Sequence, residues 1–330
     1  MKILFLSARY RPERGGVETH TWEIAQRLKK KGHKVTVITE KTTNAYPANV
    51  TALNFGPAGF NKKFRIWQQL WTNRHLLHQT DIIHCHDVFF WYLPFRFLLP
   101  RKPVYTTFHG YETQFPLSRK VILIRKLSEQ LSWGTIIVGD YIRTWYGANP
   151  DEVVYGGISE IQLEKKPLPR QGKLRLALVG RLEKDLGINT YIETLKIIKK
   201  KRLSYSLDIY GDGSLRKNLE KYGKVHGFIA DMSSKMRSAD IVFASSYLLI
   251  LEALALGKRV IAVYDNPLKK DYLLMSPLAP WIRVESDPKK ITQIIERRQW
   301  PVDYAGLKKF LQRYDWDKIT DIYLKLWSKK

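Results

Sequence analysis

Residues 2–8, KILFLSA, form an unbroken apolar run that ends in the loop RYRPERGG. The chain continues as VETHTWEIAQRLKKKG, with Trp22, Ala25 and Leu28 at helical spacing before Gly32, and then as a second apolar run, HKVTVIT (33–39). Runs this short and this apolar suit strands buried on both faces of a parallel sheet. Parallel neighbours need a crossover helix between them, so strand, glycine loop, helix, strand is the opening of a doubly wound α/β layer. This opening restricts the fold more than any other part of the chain.

The alternation continues. VTALNF (50–55), DIIHCHD (81–87), KPVYTTF (102–108) and GTIIVGD (134–140) read as strands, and 62–79 and 117–133 as helices. Three glycines and two prolines in GGISEIQLEKKPLPRQG (156–172) then break the rhythm and mark an interdomain linker. Beyond it KLRLALVG, SYSLDIYG, SADIVFAS and KRVIAVYD are strands, and INTYIETLKIIKK and SLRKNLEKYG helices. The expected architecture is two Rossmann-like α/β domains, 1–157 and 158–305, followed by a helical stretch, 306–330, interrupted near Asp315. In open sheets ligands sit at the carboxyl ends of the strands, which places the expected site in a cleft between the halves.

Composition limits the partners. The net charge is +25: 22 Lys and Arg stand against 11 Asp and Glu up to Gly157, and 34 against 20 beyond it. With both halves basic, the field suits a phosphorylated substrate, an anionic membrane surface or nucleic acid. Cys85 is the single cysteine, which excludes an internal disulfide and a multi-thiolate zinc site. The N-terminus lacks the charge order of a signal peptide, and no apolar run approaches membrane-spanning length. A reducing cytoplasm is the expected location.

The motifs then become specific. GGVETHTWEIAQRLKKKGHKVTVIT, DIIHCHD and TTFHGYE in the first half are followed by VGRLEKDLGI, IYGDGSLRKNL, HGFI, SADIVFASS and LEALALGKRVIA in the second. In this order and spacing the chain resembles the GT-B glycosyltransferases of family 4 over nearly its whole length. The resemblance implies two Rossmann-like domains with the last helix crossing back to the first. It also implies hexosyl transfer from a nucleotide-diphosphate sugar, UDP- or GDP-linked, with retention at the anomeric carbon and without metal or other cofactor.

It further implies roles for particular residues. Gly15 and Gly16 stand where a loop meets a helix N-terminus, which lets backbone amides approach a phosphate. Arg181 would hold the donor diphosphate, whose negative charge develops as it leaves. The family places a lysine five positions later, where this chain has Leu186; Lys184 lies two residues earlier. Glu252 would accept the ribose hydroxyls, and Gly211 and Gly213 of GDGS would lie near the base. His109 would donate a hydrogen bond to the reacting sugar or its phosphate. Glu18, His86, Asp87, Gly110 and Glu112 are expected on the acceptor side. His84 and His86 alternate on one strand and could share a metal, but no third ligand accompanies them.

One departure stands out. The family precedes the Glu252 helix with Glu-Gly-Phe-Gly, which grips the donor sugar. Here Ser245-Ser246-Tyr247 runs straight into Leu248-Leu249-Ile250-Leu251, about four residues short. Ser245, Ser246 and Tyr247 retain hydroxyls there. A second reading is therefore a degenerate GT-B protein that binds nucleotide or glycan without turnover.

Residues 60–77 and 91–102 mix Lys62, Lys63, Arg65, Arg74, Arg96, Arg101 and Lys102 with Phe64, Trp67, Trp71 and further aromatics. Such a mixture suits an anionic membrane surface, hence peripheral attachment at the inner face of the cell membrane and a glycan or lipid-linked acceptor. The same aromatics are equally suited to the domain core. A third reading, nucleic-acid binding, has the charge but no recognition motif.

Overall fold

Strand pairing in the computed structural model is parallel throughout, as doubly buried apolar runs require. The structure describes residues 1–110, 115–165, 168, 169, 171–229 and 231–328. The chain divides into two units, Met1–Gly156 with Trp316–Lys330, and Gly157–Asp315.

In the first unit the strands are β1 (Lys2–Ser7), β2 (Lys34–Glu40), β3 (Val50–Leu53), β4 (Ile82–His86), β5 (Val104–Phe108), β6 (Gly134–Val138) and β7 (Glu152–Val154). Their order is β3-β2-β1-β4-β5-β6-β7, so the winding reverses between β1 and β4. The helices are α1 (Gly16–Lys30), α2 (Lys62–Thr72), α3 (Arg74–His78), α4 (Phe89–Leu98), α5 (Arg119–Leu131) and α6 (Tyr141–Tyr146). Right-handed crossovers put α1 on one face of the sheet and α2 to α6 on the other. Strand side chains alternate accordingly. Leu4, Leu6, Ile83 and Cys85 pack with Ile66 and Leu70 of α2 and with Tyr92 and Phe95 of α4. Phe5, His84 and His86 turn to the α1 face.

The second unit repeats the plan with β8 (Leu174–Val179), β9 (Tyr205–Tyr210), β10 (Lys224–Val225), β11 (Ile241–Phe243), β12 (Arg259–Val263) and β13 (Arg283–Glu285), in the order β10-β9-β8-β11-β12-β13. Its helices are α7 (Ile188–Lys200), α8 (Arg216–Leu219), α9 (Met232–Arg237), α10 (Tyr247–Ala255), α11 (Pro267–Leu274), α12 (Pro288–Arg297) and α13 (Tyr304–Leu311). The chain enters and leaves this unit side by side, since Ile158 bridges Asp315 and its N–H bonds the Tyr314 carbonyl at 2.7 Å. It then returns to the first unit as α14 (Trp316–Ser328), which packs on α1.

The sequence reading differs at three places. The helix expected over 62–79 is two, because the chain bends at Asn73. The returning helix starts at Trp316 rather than 306, and α13 stays with the second unit. Short edge strands such as β7, β10 and β13 are too brief to announce themselves by periodicity.

Candidate active site

In each unit the expected site residues gather where the strand order reverses, the place at which open α/β sheets bind ligands.

In the first unit Ser7 of β1 pairs with His86 of β4. Asp87, just past β4, holds the left-handed conformation at φ 61°, which is uncommon outside glycine. Its carboxylate accepts the His109 backbone N–H at 2.9 Å and so fixes the loop beyond β5. Gly110 is held from the other side, its carbonyl accepting from Arg125 at 2.7 Å. Arg125 is buried between Phe108 and Tyr146, with its guanidinium 4.0 Å from the Tyr146 ring centroid. Gly15 and Gly16 do open α1. The Glu18 carboxylate folds back over Gly15, where an added Cβ would come within 2.1 Å of its Oε2. Glu112 lies outside the described residues.

His84, His86, His20 and His109 cluster under this loop. Among the described residues no group of three or more ligating side chains could hold a metal. The cluster is instead a directed hydrogen-bond chain. Trp327 Nε1–H donates to His84 Nδ1 at 3.2 Å, and an indole can only donate. His84 therefore carries its hydrogen on Nε2 and donates to Thr107 Oγ1 at 2.8 Å. Thr107 Oγ1 also lies 2.9 Å from the Tyr323 hydroxyl, which lies 2.9 Å from His20 Nε2, so the chain of hydrogen bonds runs on to α1. Burial pushes His20 and His84 down to about 3, and His86 and His109 well below the usual imidazole range. All four are neutral at pH 7.

His86 Nδ1 lies 2.9 Å from His109 Nε2, while buried His86 Nε2 has no partner among the described residues. A buried orphan N–H is rarer and costlier than an unused lone pair. The hydrogen of His86 thus sits on Nδ1 and is donated to His109. His109 is left with its hydrogen on Nδ1, where it can be offered to a sugar or phosphate oxygen. His86 supports His109 from beneath.

In the second unit Arg181 follows β8 and Gly180, with an exposed guanidinium whose Nη2 is 3.3 Å from Asp185 Oδ2. Leu182 beside it is fully buried and anchors the loop. Lys184, in a 3-10 turn over Lys184–Leu186, is exposed. Glu183 binds Ser214 through its N–H at 2.9 Å and its hydroxyl at 2.6 Å, tying this loop to GDGS and lowering the Glu183 pKa. Gly211 is where the two loops meet: at φ 154° an added Cβ would lie 1.8 Å from the Gly180 carbonyl oxygen. Gly211→Ala is accordingly expected to destabilise the second unit by at least about 3 kcal/mol in urea unfolding. Gly213 is closed in the same way, by the Leu182 carbonyl and Glu183.

The shortened donor segment has a defined structure. Ser245 is buried, with its Oγ accepting from the Val263 N–H at 3.0 Å and lying 2.9 Å from the Tyr191 hydroxyl, so it ties β11 to β12 and α7. Ser246 is half-buried at the N-cap of α10, and its hydroxyl makes no capping bond. Tyr247 is buried with its ring flat against Tyr272 of α11, centroids 3.9 Å apart at 6°. Its N–H donates to the Tyr272 hydroxyl at 2.9 Å, and its own hydroxyl to the Tyr272 carbonyl. Glu252 is half-buried in the second turn of α10, between the buried Leu251 and Leu254. Arg125, His20, Tyr323 and the Tyr247–Tyr272 pair escape sequence reasoning, since each depends on a partner remote in sequence.

Residues 14–160 match the family described as Glycosyltransferase Family 4, and residues 173–271 match Glycosyl transferases group 1. Among characterised proteins, the phosphatidyl-myo-inositol mannosyltransferase of Mycobacterium tuberculosis is 26% identical over 289 residues, 75% of this chain and 74% of that protein. That of Mycolicibacterium smegmatis is 24% identical over 349 residues, 93% and 88%. Among solved structures, Anabaena Alr3699/HepE in complex with UDP and glucose superposes over 100% of both chains with a TM-score of 0.74 at 17% identity. WaaG, a glycosyltransferase involved in lipopolysaccharide biosynthesis, superposes with a TM-score of 0.63 at 14% identity, covering 97% and 99%. At these identities the structural likeness speaks to the fold, which is GT-B.

Proposed function

Since the chain belongs to the family 4 glycosyltransferases, and so transfers a sugar from a nucleotide-diphosphate donor, we propose that its acceptor is lipid-linked and that it works on an anionic membrane surface. Its characterised relatives are named for mannosyl transfer to phosphatidyl-myo-inositol, which supports a hexose donor and a lipid acceptor. The second unit holds the UDP- or GDP-linked hexose through Arg181 and Glu252. The first unit carries the acceptor, with His109 donating from Nδ1 to the reacting sugar or its phosphate. The reaction proceeds with retention: the leaving diphosphate takes the acceptor proton, and the protein supplies position and charge.

The membrane part rests on one observation. Phe60, Phe64 and Trp71 at α2, Phe97 and Leu98 at the end of α4, and Leu123 and Leu127 on α5 are all exposed. The three helices are neighbours on one sheet face: Trp71 stacks on Phe95, and Arg96 reaches the Leu131 carbonyl at 2.8 Å. Cations lie among the rings, with Lys63 4.4 Å from the Phe60 centroid and Arg74 5.1 Å from that of Trp71. Exposed aromatic and aliphatic side chains interleaved with cations match the headgroup region of an anionic bilayer. Among the described residues no helix is long and apolar enough to cross a membrane.

Cosedimentation tests the reading. Binding to phosphatidylinositol-containing vesicles is expected, with little to pure phosphatidylcholine, and a Phe64→Ser/Trp71→Ser variant should lose about tenfold or more in affinity. Stabilisation by UDP or GDP in thermal melts, with hexose transfer to a lipid extract, completes the test. Nucleotide binding without any transfer would favour a turnover-free protein.

A further inference from the structure

Lys269 is the third residue of α11, whose start is fixed by Asn266 accepting the Lys269 N–H at 2.8 Å. Its side chain is buried at 3% exposure, yet among the described residues Nζ makes no hydrogen bond and no ion pair. What it touches is the face of Tyr272, 4.0 Å from the ring centroid. Nζ is not one of the fully buried polar atoms, so the stem is covered while the ammonium keeps a narrow opening to solvent. A cation held in so dry a place is costly, and a merely structural position would be better filled by an apolar side chain.

Its surroundings belong to the donor end of the unit. Tyr272 carries the Tyr247 ring and accepts the first N–H of α10. Leu249 of α10 borders Gly180, since a Cβ there would lie 3.2 Å from Leu249 Cδ1, and Arg181 comes next. Gly187, which ends the Leu186 turn, is pressed against Val263, from which the chain runs into α11. The charged and titratable groups facing Lys269 are Asp185 and Arg181 from the β8 loop, Asp265 before α11 and Tyr272 of α11, whose ring also stacks on Tyr247 of α10.

We propose that Lys269 is the second cation that holds the donor diphosphate, supplying from α11 the charge that Leu186 cannot supply from the β8 loop. This rests on the reading of the second unit as the donor site. The diphosphate gives the ammonium charged oxygen acceptors in place of water, and Arg181 and Lys269 share the charge that develops on the leaving group. Burial brings the Lys269 pKa down to about 8. A bound diphosphate raises it again, so binding takes up a proton above pH 8 and affinity falls as the pH rises through that range.

Isothermal titration with UDP, GDP and the two nucleosides decides the matter. Lys269→Met is expected to weaken the preferred nucleoside diphosphate about 10- to 100-fold, to leave nucleoside binding within about twofold, and to abolish the weakening above pH 8. Its melting temperature should equal or exceed that of the unmodified protein, because a buried charge has been removed. Adding Leu186→Lys to Lys269→Met should recover most of the loss. Unchanged diphosphate affinity in Lys269→Met, with the pH dependence intact, would overturn the assignment while leaving the donor site standing. Failure of the unmodified protein to bind either nucleotide would overturn both. The pH dependence and proton uptake of the unmodified protein test the point independently of any variant's folding.

Discussion

Arg181→Ala is expected to lower kcat/KM for sugar transfer by about 10²- to 10³-fold without measurably changing the melting temperature. The two halves of this expectation come from the same loop. Gly180 stands at φ 124°, Leu182 is fully buried, and the Leu182 N–H bonds the Asp212 carbonyl at 2.9 Å, so the backbone around Arg181 is held without help from its side chain. The guanidinium itself is about half exposed, and its contact with Asp185 is an exposed pair of the kind that contributes little to stability. Its charge is therefore available to a ligand. As the glycosidic bond breaks, the nucleoside diphosphate gains negative charge, and a fixed planar fork of N–H donors stabilises that charge more than it stabilises the bound donor. Arg181→Lys should recover only part of the loss, because a single ammonium cannot reproduce two parallel hydrogen bonds. The comparison is made by initial rates with the preferred nucleotide sugar. A kcat/KM within about threefold of the unmodified protein would remove Arg181 from the donor site.

The layered fold is written locally, which is why it is readable. Each buried strand is a short apolar run, each crossover helix has its own stripe, and a parallel sheet with right-handed crossovers leaves few arrangements of the pieces. The period of two in IIHCH correctly puts His84 and His86 on one side of the sheet. What they meet there is not local. Tyr323 and Trp327 come from a helix that rejoins the first unit only after the whole second unit has been made. Read from the strand alone, two alternate histidines suggest a metal; with α14 in place they become links in a hydrogen-bond chain.

The donor side has the same limit in another form. SSYLLILEALALGK looks like a segment with its sugar-binding loop removed, because the loss of Glu-Gly-Phe-Gly is visible and its replacement is not. What stands at that place is a stack of two tyrosines 25 residues apart, with Lys269 against the Tyr272 ring. Nothing in PLKKDYLL separates Lys269 from Lys270, yet Lys269 is buried and Lys270 is exposed, a consequence of the single turn that Asn266 caps. The aromatic stretches divide likewise. Tyr92 and Phe95 fill the core while Phe97 points outward, and helical spacing alone does not say which stripe of so apolar a helix is covered.

Acidification is expected to unfold the first unit well before the second. His20 and His84 are almost completely buried and titrate at about 3, whereas an unfolded histidine titrates near 6.5. Below about pH 6.5 the unfolded chain therefore binds protons that the native unit refuses. Stability falls with falling pH, and keeps falling until the native pKa is reached. At pH 5 each of these two histidines costs about 2 kcal/mol, so together they remove about 4 kcal/mol, a large share of a typical domain's stability. His86 and His109, also shifted downward, add to the loss. The second unit contains one histidine, His226, and it is not buried, so the buried imidazole cluster belongs to the first unit. Urea unfolding at pH 7, 6 and 5 should give a slope corresponding to at least two protons taken up, and amide hydrogen exchange should place the early opening in α1, β4 and α14. Equal protection of the two units at pH 5 would mean that the histidines are not held neutral. Neutrality bears on the proposed role of His109 as well: an imidazole that stays uncharged keeps its Nδ1 hydrogen for the sugar or phosphate, so kcat/KM should show no descending limb near pH 6.5 while the fold persists. The cluster thus sets a lower pH limit on the enzyme through stability, not through titration of His109.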